Sequence, residues 1–135
     1  MQAGHTWGGT SPNGPDGTDV SAIESRDGLS GYTGPQGALV GVFLDAANPN
    51  DRSAPEDVDM ESVGTEFATL TPALGQVFFI GDGLTGTGSG SVQKFAVPRG
   101  ATRLFLGIAD ASGFGGRPGC YGDNIGMFQV QIMLP

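Results

Sequence analysis

Thr102-Arg-Leu-Phe-Leu-Gly-Ile-Ala-Asp110 runs into Ala111-Ser-Gly-Phe-Gly-Gly-Arg-Pro-Gly-Cys-Tyr-Gly-Asp-Asn124, and Met127-Phe-Gln-Val-Gln-Ile-Met-Leu134 follows two residues later. Thr102–Ala109 is of strand length and dense in apolar residues, so it reads as a central strand. The last alternates: Phe128, Val130, Ile132 and Leu134 share one face, and Met127, Gln129, Gln131 and Met133 the other. Period two over eight residues is the mark of a half-buried strand. Between the two lies a loop of glycine and turn residues, too broken for a helix. This strand–loop–strand unit sets the fold class as all-β.

The rest of the chain repeats the pattern. Ala38–Leu44, Gln76–Ile80 and Val92–Val97 are further strand candidates. Thr10–Gly17 is all turn chemistry, Asp45–Ser62 reads as a long acidic surface excursion, and Gly81–Ser91 as a glycine-rich hairpin loop. The only place where the sequence allows helix is a turn or two near Asp19–Ser25. Many short strands separated by Gly/Pro turns predict an antiparallel two-sheet sandwich or jelly roll. Residues 1–135 form one domain on this reading, since 135 residues can bury a single core without a staple. The opening Met1-Gln-Ala-Gly-His-Thr-Trp7 reads as the end of a strand, so a first strand or strands are expected upstream of it.

Composition narrows the function classes. The chain carries 25 Gly, nine Pro and a formal net charge of −8. Phosphate binding needs clustered Lys and Arg, so a nucleic-acid partner is disfavoured, as is an anionic membrane surface. No segment has the length and apolarity of a membrane helix, so no membrane insertion is expected. One cysteine, Cys120, cannot form an internal disulfide.

The chemistry concentrates in the loop already quoted. Asp110 closes an apolar strand, and Asp123 and Asn124 stand beyond the glycine-rich loop, at the entrance to the next. Three oxygen side chains can converge there while loop carbonyls face the same way. Such clusters of hard oxygens suit Ca²⁺, which accepts carboxylate, amide and backbone oxygens in flexible geometry. Asp-Asn beside Gly is also common turn chemistry, so residue types alone leave both readings open.

Other motifs carry less. Gly81-Asp-Gly-Leu-Thr-Gly-Thr-Gly-Ser-Gly90 leads into a strand rather than a helix and has no Lys-Ser/Thr pair, so it is not a phosphate cradle. His5 is the only histidine and Cys120 the only cysteine, so no nucleophilic triad or zinc site can be assembled. Asp110 and Asp123 could pair as a glycosidase acid and base, but both have the simpler role of metal ligands. No enzymatic activity is expected.

The stretches Phe95-Ala-Val-Pro-Arg-Gly-Ala-Thr-Arg-Leu-Phe-Leu-Gly-Ile-Ala-Asp110 and Gly119-Cys-Tyr-Gly-Asp-Asn-Ile-Gly-Met-Phe-Gln-Val130 resemble the PA-IL-like calcium-dependent galactophilic lectins. The likeness is to their bacterial relatives within secreted or surface-anchored proteins. Ala3-Gly-His-Thr-Trp-Gly-Gly9, Gly14-Pro-Asp-Gly17 and Gly37-Ala-Leu-Val-Gly41 match the earlier landmarks of that family. The resemblance implies a galactose-binding-domain-like jelly roll with one calcium in the loops at one end. Its ligands would be the side chains of Asp110, Asp123 and Asn124, the carbonyl of Cys120, and a carbonyl of the first loop at Trp7 or Gly8. Two vicinal hydroxyls of a galactose-like sugar would complete the coordination. The expected setting is extracellular or at the cell surface.

Two features depart from the family. The loop Ala111–Gly119 is longer than in its simplest members, and its His and Gln contacts to the exocyclic sugar hydroxyl have no counterpart here. A rival expectation therefore stands beside the lectin: a structural or adhesive subunit in which calcium only rigidifies loops. In that reading a homo-oligomer forms, or a strand is donated by another copy, to fill a sheet edge.

Overall fold

The computed structural model describes residues 14–135 together with the backbone of residues 4–5. In chain order the strands are β1 (Gly4–His5), β2 (Thr18–Ile23), β3 (Tyr32–Gln36), β4 (Leu39–Leu44), β5 (Val58–Asp59), β6 (Thr69–Leu70) and β7 (Val77–Phe79). They continue as β8 (Leu84–Gly86), β9 (Ser89–Val92), β10 (Lys94–Phe95), β11 (Arg103–Ile108), β12 (Gly115–Gly116) and β13 (Asn124–Ile125). A short helix, α1 (Met60–Val63), is capped by Asp59, whose carboxylate accepts from the Glu61 N–H. The molecule is β-rich, as the sequence predicts, and its strands fall into several sheets.

Two sheets position the candidate site. In the first, β4 lies between β11 and β7, antiparallel to both. Every residue of β4 is buried, because each of its faces is covered. On one face Val40 and Phe79 join Ile23, Tyr32, Ala38, Met60 and Ala109 in the main hydrophobic cluster. On the other, Phe43 stacks on Phe78 at 5.2 Å, Phe78 meets Phe95 at 5.4 Å, and Phe95 meets Phe67 edge-on at 5.8 Å. Gly41 makes room for this, since a Cβ there would come within 2.9 Å of the Phe78 ring.

The second sheet runs β12–β2–β3–β5. Its central pair, β2 and β3, is an antiparallel hairpin, extended by the bridge between Arg26 and Leu29. The turn is Asp27-Gly28, with φ of 53° and 79° at the two residues. Positive φ at both central positions is the geometry that matches the right-handed twist of a hairpin, and Asp-Gly is a favoured pair for it. Residues of both sheets meet in the one cluster around Val40 and Tyr32.

Several expectations are corrected here. The stretch Asp19–Ser25, where the sequence allows a turn or two of helix, belongs largely to strand β2: Ser21 and Ile23 turn inward, and the Asp27-Gly28 turn returns the chain as β3. Arg103–Ile108 is a strand, but it flanks the sheet instead of running through its centre. Phe105 is half exposed, with the Arg103 guanidinium 5.7 Å from its ring centroid. Val92–Val97 divides at Gln93. The Gln93 N–H donates to Gly83, and its buried amide donates to the Thr65 and Phe67 carbonyls, so the chain leaves β8 and pairs next with β6.

The pairing is not wholly antiparallel either: β12–β2, β3–β5 and β10–β6 are parallel. Met127–Leu134, expected as the last strand, makes no strand pairing among the described residues. Met127, Ile132, Met133 and Leu134 are each more than half exposed. Alternation specifies a surface fit for one buried face, but a strand also needs a neighbour for its backbone, and none of the described residues supplies one.

Candidate functional site

The site begins where β11 ends. Gly37 N–H donates to the Ala109 carbonyl at 2.6 Å, and Ala109 N–H to the Ala38 carbonyl at 3.0 Å. This clamps the end of β11 to the β3–β4 link and carries Asp110 into the interior, where only 1% of it is exposed. A buried carboxylate needs hydrogen bonds to offset its lost hydration. Two amides contribute them: Gln36 Nε2 donates to Oδ1 at 3.2 Å, and Asn124 Nδ2 donates to Oδ2 at 2.8 Å.

The glycine-rich loop brings Asn124 there. Ala111 and Pro118 close it as an isolated antiparallel bridge, and Gly119 N–H donates to the Asp110 carbonyl at 3.0 Å. Its middle lies along the edge of β2, with Gly115 opposite Ala22 and Glu24 N–H donating to the Gly116 carbonyl. This loop therefore serves, in part, as an added sheet edge. Cys120 takes a left-handed conformation at φ 65° and starts the short 3₁₀ turn Tyr121–Asp123, which delivers Asn124 to β13. Backbone pairing of Asn124 with His5 holds that strand against β1.

The sequence-predicted ligands are thus placed unequally. Asp110 and Asn124 touch. Asp123 precedes Asn124 on the exposed side of the turn, and Cys120 is a free, exposed thiol in the same loop. Trp7 and Gly8 lie outside the described residues, as do residues 10–13 of the expected first turn. Among the described residues no three His, Cys, Asp or Glu side chains gather as a metal-holding group.

Asn124 nevertheless carries a feature that suits a cation. Its Oδ1 is buried and accepts no hydrogen bond, and the same holds for Gln36 Oε1. A buried carbonyl oxygen without a donor costs about 1–3 kcal/mol, and a cation at that oxygen would remove the cost. Anionic and amide oxygens are also the donor set that Ca²⁺ takes. Tyr121 lies within electrostatic reach: its phenol pKa is raised, first by burial and then by the negative charge of Asp110, with Arg26 opposing.

Gln36 is the residue that sequence reasoning missed. The available signal is its place in β3, where Tyr32, Gly34 and Gln36 are the inward positions. A glutamine in the buried register of a strand asks for a polar partner.

No family model matches the chain, and neither curated proteins nor solved structures include a match to it. The functional reading therefore rests on the motifs and on the geometry around Asp110.

Proposed function

We propose that this chain is a calcium-dependent carbohydrate-binding module of a secreted or surface protein, a two-sheet jelly roll without catalysis of its own. The observation that carries the reading is the contact between Asp110 and Asn124, with the Asn124 amide oxygen buried and lacking a donor. Asp110 and Asn124 would hold the ion from the strand end and the loop, and Asp123 and the Cys120 carbonyl belong to the same loop. When bound, the ion supplies direct bonds to two vicinal hydroxyls, which a neutral pocket cannot offer to a hydrated sugar. Tyr121, more than half exposed beside Asp110, offers an apolar ring face to the sugar.

The test is calorimetry of galactose into calcium-loaded and chelator-stripped protein. The reading expects weak binding that chelator removes. A second reading, a structural or self-associating subunit, is favoured by the exposed apolar alternation of Met127–Leu134 and by half-exposed Phe105 on flanking strand β11. Calcium binding without any sugar binding, together with concentration-dependent association, would select it.

A further inference from the structure

We infer that Gln36 is a positioning residue for the calcium site: its amide anchors Asp110 Oδ1 and so orients the carboxylate toward the ion. The inference rests on the calcium reading above. Gln36 ends β3 with its backbone opposite Thr18 of β2, and only 2% of it is exposed. Its Nε2 donates to Asp110 Oδ1 at 3.2 Å and points toward the Ala111 carbonyl at 3.5 Å. The backbone on both sides of the contact is fixed, because Gly37 and Ala38 bond Ala109. Gln36 thus reaches Asp110 from a paired strand end held by the Gly37 and Ala38 backbone bonds, whereas Asn124 reaches it from a surface turn.

That asymmetry assigns the two amides different tasks. An Asn124 that turns its carbonyl oxygen to a cation withdraws its NH₂ from Asp110 Oδ2. Gln36 keeps its bond to Oδ1 while this happens, and Oδ2 exchanges the Asn124 donor for the ion. Residues that orient a metal ligand in this manner change affinity through preorganisation.

Gln36 also holds this position at a cost, since its own Oε1 is buried without a donor. An apolar side chain of the same length would fill the space without that penalty. The amide is explained by what its NH₂ does to Asp110.

The experiment compares calcium titrations by calorimetry for the wild-type protein, Gln36→Met and Ser21→Ala, with folding checked by circular dichroism. Ser21 is the control: fully buried in β2, it donates to the Gly34 carbonyl at 3.2 Å in the same hairpin, away from Asp110. Both substitutions should lower the melting point in chelator. Only Gln36→Met should weaken calcium, by about 10–100-fold. A Gln36→Met affinity within twofold of wild type would overturn the inference, as would an equal loss in Ser21→Ala. Gln36→Asn, which keeps the amide but is one methylene too short to reach Oδ1, replaces Gln36→Met if that variant does not fold. The same tenfold loss then supports the inference, and the same unchanged affinity overturns it. If the wild type itself gives no calcium heat, the calcium reading fails and this inference with it. If the wild type binds and Gln36→Met binds equally, only the role of Gln36 is lost.

Discussion

Asp110→Asn separates a metal ligand from a structural keystone. The side chain keeps its volume in a site only 1% exposed, so no cavity term arises. Without calcium the substitution leaves one acceptor oxygen: Gln36 Nε2 can still donate to it, as a neutral bond of about 0.5–1.5 kcal/mol in place of a charge-assisted one of about 1.5–3, while the other oxygen becomes an NH₂ to which the Asn124 NH₂ cannot donate. Once the Asn124 amide reverses, the new NH₂ at position 110 can donate to Asn124 Oδ1, which accepts nothing in the native protein. Satisfying that oxygen returns about 1–3 kcal/mol. The two changes nearly cancel, so chelated Asp110→Asn should melt within about 5 °C of chelated wild type.

With calcium the two proteins should part. At a hundredfold excess over Kd the wild type gains about 2.7 kcal/mol, which for a domain of this size is a rise of roughly 8–12 °C. Asp110→Asn has lost an anionic ligand and should show no rise. Scanning fluorimetry in chelator and in millimolar calcium measures both arms. A variant that unfolds far earlier in chelator would make Asp110 a keystone of the fold. A variant that still responds to calcium would remove it from the site.

Packing and the titratable groups give three further expectations. Phe78→Ala empties the centre of the Phe43–Phe78–Phe95 stack and should cost about 3–5 kcal/mol in urea unfolding. Asp45 is held below the usual carboxylate range, first by its hydrogen bond from Arg52. Its folded pKa lies below its unfolded one, so its contribution is present above the unfolded value and is lost as pH falls through the folded one. Asp45→Asn should flatten that acid limb of the melting point, weakly and less so in high salt, because the pair is exposed. The Tyr121 phenol should ionise above its ordinary value in an ultraviolet titration, and Asp110→Asn should move it back toward that value.

Legibility of the sequence follows how local each signal is. Leu39–Leu44 and Leu104–Ile108 are continuous apolar runs, and both lie in strands where such runs predict them. What the runs do not state is order within a sheet. Arg103–Ile108 flanks the sheet because Leu39–Leu44 takes the centre, with a neighbour on each side and cover on each face. The β2–β3 hairpin is signalled by Asp27-Gly28, two residues that outweigh any helical reading of Asp19–Ser25. Met127–Leu134 shows the opposite failure: strong alternation, but no described partner strand.

The site divides in the same way. Asp110 and Asn124 are 14 residues apart across one loop, and that spacing predicts their contact. Gln36 is 74 residues from Asp110, and only the meeting of β3 with the end of β11 joins them.

The central claim is that calcium binds at the Asn124 and Asp110 oxygens, and the side-chain amide region of an ¹⁵N-resolved NMR spectrum reports on it residue by residue. On titration with calcium, the Asn124 NH₂ pair should shift strongly as that group leaves Asp110 Oδ2. The Gln36 NH₂ pair should shift less, since its contact to Oδ1 is retained. Calcium-induced shifts confined to other residues, with the Asn124 amide unmoved at millimolar calcium, would contradict the account.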